Sequence, residues 1–182
     1  LAPKTIRNML YSFDGRKPVI GKETYVSQTA TLIGDVRVGN NCYIGHGVIL
    51  RGDYGTIEVG NGTAIEEGVV VHAPPAETCW IGEKVTIGHG AVIHSKLIGD
   101  YAVIGMGAIL SIRAEIGKRS IVAEGSVVKM NQKFPDGLVV GGSPARKIRE
   151  ISRQDEDFWK RGKQVYIDLA KKYLSIGMHK LD

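Results

Sequence analysis

The chain has 182 residues and a mass of 19.7 kDa, with 43% hydrophobic and 24% charged side chains and a formal net charge of +5. This is a globular composition, enough for one domain, and it excludes disordered and collagen-like chains. The charge is spread along the chain, with a modest basic cluster at Arg146, Lys147, Arg149 and Arg153. Without interleaved aromatics or a reading motif this is a solvated surface, and no nucleic-acid partner is expected. No apolar run approaches the roughly 18–20 residues that span a bilayer, so no membrane partner is expected either. The opening LAPKTIRNML lacks an apolar signal-peptide core, and Cys42 and Cys79 are too few for a disulfide framework. A reducing, cytoplasmic compartment is the simpler expectation, with a mitochondrial origin open.

From Val26 onward an aliphatic residue recurs every six positions: Val26, Leu32, Val38, Ile44 and Leu50, then Val59, Ile65 and Val71. The row resumes at Ile81, Ile87 and Ile93, and after a one-residue deletion continues Ile98, Ile104, Leu110, Ile116, Val122 and Val128. Gly often follows the anchor, and a mostly small residue stands four positions after it, as at Ala30, Cys42 and Ala91. A period of six fits neither an amphipathic helix nor the strict alternation of hairpins. It predicts an all-β solenoid, a parallel β-helix whose hexapeptides each form a short strand and a corner. Anchors stack in the core, the small residue fits the narrow interior, and glycine is expected to ease the corners by adopting positive φ. The β-helix is expected over residues 14–142. After GGSPARKI, Ser152 and Asp155 form a capping-box signature that opens a C-terminal α-helix over 152–178. Its apolar face, with Phe158, Val165, Leu169 and Tyr173, is expected to pack on the β-helix.

The chain has 5 histidines, and three of them, His72, His89 and His94, fall in one short region. If three hexapeptides make a coil, His72 and His94 each follow a stacked anchor and lie about 4.8 Å apart on adjacent coils. Their spacing of 22 implies one coil plus a loop insertion around 73–80, and Arg51 takes the same position one coil earlier. His46, Glu67 and His89 form a second column on the preceding face. Five residues separate His89 from His94, and the corner between them turns the side chains in different directions. One metal ion, with Zn–N distances of about 2.0–2.1 Å, cannot readily collect all three from one subunit. A homotrimer solves this, His72 and His94 of one subunit meeting His89 of the next.

The segments ILRGD (49–53), IEEGVVVH (65–72) and IGHGAVIH (87–94) resemble the gamma-class carbonic anhydrases, as do IGMGA (104–108) and GGSPA (141–145). The resemblance covers nearly the whole chain, from about Asp14 to the final helix, in its short, shuttle-lacking form. It implies a left-handed β-helix with three hexapeptides per coil and Zn2+ ligands at His72, His89 and His94, with Fe2+ or Co2+ as alternatives. It further implies reversible hydration of carbon dioxide to bicarbonate by a metal-bound hydroxide at a trimer interface. Arg51 and Asp53 match an inter-subunit salt bridge beside the site, and Arg51 is placed to bind bicarbonate. Glu67 matches an acidic family position that pairs across the interface, and its place in the His89 column makes it a candidate to orient that ring. Glu66 stands where the family commonly has Gln and is a candidate general base, while Ala64 replaces a family Asn. Tyr166 resembles a tyrosine that lines the site, and core packing explains it equally. The acidic proton shuttle is not evident: Tyr54 follows Asp53, and the loop AETCW offers only Glu77. Competing readings are a hexapeptide acyltransferase, a thioesterase acting on an acyl-CoA, and a non-catalytic assembly subunit. His46 is expected at a surface or interface, and Cys79 in a loop near the site.

Overall fold

The computed structural model describes residues 9–179 and Leu181. The hexapeptide anchors pair with one another coil after coil. On the first face Leu32, Leu50, Val71, Ile93, Leu110 and Val128 are consecutive partners. The second face stacks Val38, Val59, Ile81, Ile98 and Ile116. The third stacks Val26, Ile44, Ile65, Ile87, Ile104 and Val122. All these pairings are parallel, and the result is a left-handed parallel β-helix. The third face forms its own 8-stranded sheet, while strands Thr31–Val38 and Ile49–Val59 run around a corner and join the other two faces into one 12-stranded sheet. The anchors and the small residues four positions after them form a single buried column, in which Ile44, Ile65, Ile87, Ile104, Ala30 and Ala91 are fully buried. Each stacked aliphatic contributes roughly 1.5–3 kcal/mol of burial, and the period alone determines which residues receive it.

Met9–Tyr11 pairs parallel with Thr31–Ile33. Phe134 and Val140 extend the second and third anchor columns by one position. Ala145–Glu150 then returns antiparallel along Leu138–Gly142. Five of the six residues of this return strand are exposed, so it shows no apolar alternation by which sequence could reveal it.

The glycines that follow anchors do not serve the expected purpose. Gly88 and Gly105 have ordinary φ, and a Cβ would lie 2.8 Å from the Met106 amide and 2.5 Å from the Glu124 amide on the next coil. They are small so that coils can approach. Positive φ occurs two residues later, at Gly90 (φ 68°) and Gly107 (φ 65°), and at non-glycine corners such as Asn41 and Tyr101. Short polar side chains and single left-handed residues are tolerated there.

The coil is interrupted in two places, and both lie beside the histidines. Gly34 pairs with Gly52 but Val36 with Ile57, leaving three extra residues between Gly52 and Ile57. The next coil bulges between His72 and Thr78.

Ser152 caps the helix Arg153–Ile176: its Oγ accepts from the Asp155 amide at 3.2 Å, and Asp155 Oδ2 accepts from the Ser152 amide at 2.8 Å. Such a reciprocal cap is worth about 1 kcal/mol. Of the expected stripe, Leu169 and Tyr173 pack on the third face, but Phe158 and Val165 are 58% and 60% exposed. The packed stripe runs Trp159, Lys163, Tyr166, Ala170 and Tyr173. Lys163 in the middle of the stripe hides its alternating spacing of four and three. Tyr173 stacks on Tyr25 at 4.5 Å, and Tyr166 meets Tyr43 at 5.2 Å, so the helix runs back along the stack.

Candidate metal centre

Leu50 and Val71 are paired anchors, and the residues that follow them, Arg51 and His72, are paired as well. His94 follows the next anchor, with its amide bonded to the Leu110 carbonyl at 2.8 Å. Because the coils stack in register, the rings of His72 and His94 face one another at 4.8 Å with 67° between their planes. The insertion after Gly52 brings Asp53 back to them. Arg51 Nη1 donates to Asp53 Oδ2 at 2.8 Å, the Tyr54 amide donates to Oδ1 at 3.0 Å, and Arg16 donates to the Asp53 carbonyl. Asp53 Oδ1 stands 3.5 Å from His72 Nε2 without making a hydrogen bond. Both ring nitrogens of His72 are therefore shielded from solvent and have no partner. A buried polar nitrogen without a partner costs roughly 1–3 kcal/mol unless something else satisfies it. Burial, with the neighbouring Arg51 charge, lowers the pKa of both His72 and His94, which favours the neutral imidazoles that ligate metal.

His89 is surrounded differently. It sits on the corner after Ile87 on the third face, 47% exposed. Its Nδ1 lies 2.8 Å from Glu67 Oε2 and its Nε2 3.0 Å from Glu66 Oε2. Glu67 in turn accepts from the Tyr43 hydroxyl at 2.7 Å. Burial opposes ionisation of Glu67, but the Tyr43 hydrogen bond and His89 outweigh it and hold the carboxyl below its usual range. Glu66 is buried, and that burial pushes its carboxyl up against the opposing effects of Tyr166 and His89. Tyr166 lies beside Glu66, and burial with the Glu66 charge pushes its hydroxyl well above its ordinary range. It remains a donor throughout the working pH range.

Two clusters result. Arg51, Asp53, His72 and His94 are together on the first face; Glu66, Glu67, His89, Tyr43 and Tyr166 are together on the third. Among the described residues, no three His, Cys, Asp or Glu side chains of one chain come together to hold an ion. The donor set nevertheless fits one: three imidazoles, two of them edge-to-face at 4.8 Å, with the His72 nitrogens unsatisfied.

Relatives carry the same architecture. A model for bacterial transferase hexapeptide (six repeats) matches residues 17–52. The chain is 42% identical over 161 residues to the carnitine operon protein CaiE of Escherichia coli, covering 88% of this chain and 82% of CaiE. Over 175 residues it is 37% identical to the mitochondrial gamma carbonic anhydrase 2 of Arabidopsis thaliana, covering 93% of this chain. The chain belongs to the gamma carbonic anhydrase-like family of hexapeptide-repeat proteins. It spans 63% of the length of that plant relative. The crystal structure of a hexapeptide transferase family protein from Anaplasma phagocytophilum matches it with a TM-score of 0.86 at 34% identity, over 92% of this chain and 99% of the other.

Within the chain Arg51 and Asp53 form an ion pair at 2.8 Å. Several residues of this family member lie elsewhere than the sequence suggested. Glu77 is bound by Arg113, whose Nε donates to Oε1 at 2.7 Å, and Arg113 holds its carboxyl below the usual range. A carboxylate so engaged is a poor proton carrier. Cys79 is a core residue of strand Thr78–Ile81 rather than a loop residue, and burial pushes its thiol up to about 12. His46 bonds Ser27 Oγ through Nδ1 at 2.6 Å and packs near Tyr173, away from the other histidines. Sequence reasoning missed Tyr43. Its signal was present: Tyr25, Tyr43, Ala64, Thr86, Val103 and Ile121 precede third-face anchors, and apart from Thr86 this outward column is apolar or aromatic, as the helix covering it requires.

Proposed function

We propose that this chain is a metal-dependent gamma-type carbonic anhydrase that interconverts carbon dioxide and bicarbonate at the interfaces of a homotrimer. The observation that carries the reading is the unsatisfied His72 beside His94, with His89 presented on a different face of the same coils. His72 and His94 of one subunit and His89 of the next would hold the ion, Zn2+ in the first place and Fe2+ or Co2+ as alternatives. Such an ion supplies Lewis acidity, lowering the pKa of a coordinated water toward about 7.

The chain's own residues divide the remaining work. Glu67 accepts the Nδ1 proton of His89, which fixes the tautomer and leaves the Nε2 lone pair for the ion. Glu66, next to Nε2, is positioned to accept a proton from the attacking water, and Tyr166 holds its carboxylate in place. The Arg51 guanidinium, anchored by Asp53 in the His72 column, offers a bidentate seat for bicarbonate. With Glu77 engaged by Arg113, proton export to solvent is expected to limit turnover. Slow hydration leaves room for the thioester chemistry of the competing reading, which the hexapeptide transferase relative keeps in play.

The decisive experiment mixes two inactive variants, His89→Ala and the double variant His72→Ala/His94→Ala, by unfolding and refolding them together. An interface site regains about a quarter of the wild-type metal and carbon dioxide hydration, because each site then draws its two halves at random. No recovery from a mixture that has assembled rules out the shared site. Metal regained without hydration, in the mixture and in the wild type alike, rejects the anhydrase activity and directs the search to thioesters.

A further inference from the structure

On the other flank of the C-terminal helix from Glu66 and His89 lies a cavity of about 430 Å³, roofed by the helix and floored by the third face. Its size is that of a small-molecule site. The floor and walls are apolar, with Ile121, Ile151 and the Trp159 ring. Lys163 also lines it, and Lys163 is only 6% exposed. Its Nζ donates to Thr86 Oγ1 at 3.3 Å and to the Ala102 carbonyl at 3.2 Å, both neutral and both long. No carboxylate of the described residues pairs with it, so of the three protons of the ammonium one has no hydrogen-bond acceptor; the Trp159 ring, its centroid 5.9 Å from Nζ, is the remaining neighbour. Buried lysines are ordinarily paired, and an unpaired one is a standing cost to the fold.

The surroundings are positive as well. Lys84, Arg119 and Lys160 border the cavity. Of the two acids there, Asp155 is committed to Arg149 at 2.6 Å and to Ser152, and Glu156 faces Arg119 at 4.0 Å. The cavity thus combines a mostly apolar volume, one buried unspent donor and an excess of cations.

We propose that this cavity binds a small organic monoanion, a carboxylate on a flat apolar body, with the carboxylate seated on Lys163 and the body against Trp159. A single unspent buried donor suits a monoanion; a phosphate dianion would need several more. The site is separate from the proposed metal centre and does not depend on it.

Binding changes the charge state of Lys163. Burial lowers its pKa to about 7 in the empty cavity, and a seated carboxylate favours the protonated form. The other charged or titratable groups facing it are Lys84, Tyr101 and Arg119 from the third face and Asp155, Glu156 and Lys160 from the helix. The protein takes up a proton on binding above neutrality, and affinity falls about tenfold per pH unit there.

The probe is 2-naphthoate, followed by Trp159 fluorescence in a Trp80→Phe background, since Trp80 is an exposed residue of the second face. Saturable quenching is expected, weakened at least about tenfold in Lys163→Met, with the neutral 2-naphthamide binding wild type and Lys163→Met alike. Ile151→Trp, which fills the cavity, is expected to abolish binding while metal content stays at the wild-type level. If Lys163→Met does not fold, Ile151→Trp and the naphthamide comparison decide the matter. No naphthoate binding, equal affinity for the amide in wild type, or unchanged affinity in a folded variant overturns the proposal.

Discussion

The histidines on the two faces differ in what surrounds them. His72 and His94 are half-buried, close to each other, and His72 has no hydrogen-bond partner at all. His89 is nearly half exposed and has a carboxylate at each ring nitrogen. His72 is enclosed and unsatisfied; His89 has carboxylates at hand and is presented to the outside. On the proposed reading neither face is a site alone, and His89 of a second subunit is the partner that His72 and His94 lack. A column of histidines built only for packing would not leave His72 without a partner while giving His89 two.

The largest expected effect breaks this comparison if it fails. His94→Ala and His89→Ala should each remove the bound metal, about one ion per chain in the wild type, as measured by elemental analysis without chelators. If only one of them loses metal, the two faces do not share an ion. Next, Glu66→Ala should lower carbon dioxide hydration about 100-fold with metal content unchanged. Glu66→Gln distinguishes a base from a hydrogen-bonding role, because Gln preserves the second and abolishes the first. Glu67→Gln should weaken metal affinity about 10–100-fold, whereas Asp53→Asn, which has no hydrogen bond to His72, should leave it nearly unchanged. Metal competition titrations read both.

The smallest effect concerns pH. Burial and Arg51 lower the folded-state pKa of His72 and His94 below the unfolded value of 6.5. Below that value the unfolded chain binds more protons than the folded one, so metal-free protein loses stability as pH falls from 6.5 toward the folded-state pKa. Thermal melting should drop by roughly a few degrees over that window. His72→Gln/His94→Gln should flatten the slope, and an unchanged slope would place the titrating groups elsewhere.

The coil was legible in the sequence because one interior column repeats every six residues, and each anchor was assigned its partner by counting. The stacking of His72 on His94 followed from the same count. Other features had no periodic signal. The return strand Ala145–Glu150 is almost wholly exposed, so it has no apolar face to detect. The first half of the helix stripe was misplaced, at Phe158 and Val165, because Lys163 occupies a core position that sequence assigns to solvent, whereas Leu169 and Tyr173 pack as expected. Tyr43 reaches Glu67 across a coil, and Arg113 reaches Glu77 across the insertion after His72; such cross-coil contacts between polar side chains depend on rotamers, which spacing does not fix.

The return strand has one more consequence. A stack of parallel coils ends in bare strand edges, a template on which another molecule can continue the ladder end to end. Ala145–Glu150 turns back on Leu138–Gly142 and occupies the last third-face edge in the antiparallel sense, presenting exposed Lys147, Arg149 and Glu150. A second molecule arriving there meets reversed polarity and charge instead of an open rung. The short segment that sequence reads as mere punctuation thus acts as a stopper on that face, closing one of the edges through which a fold with the inherent geometry of a fibre could grow.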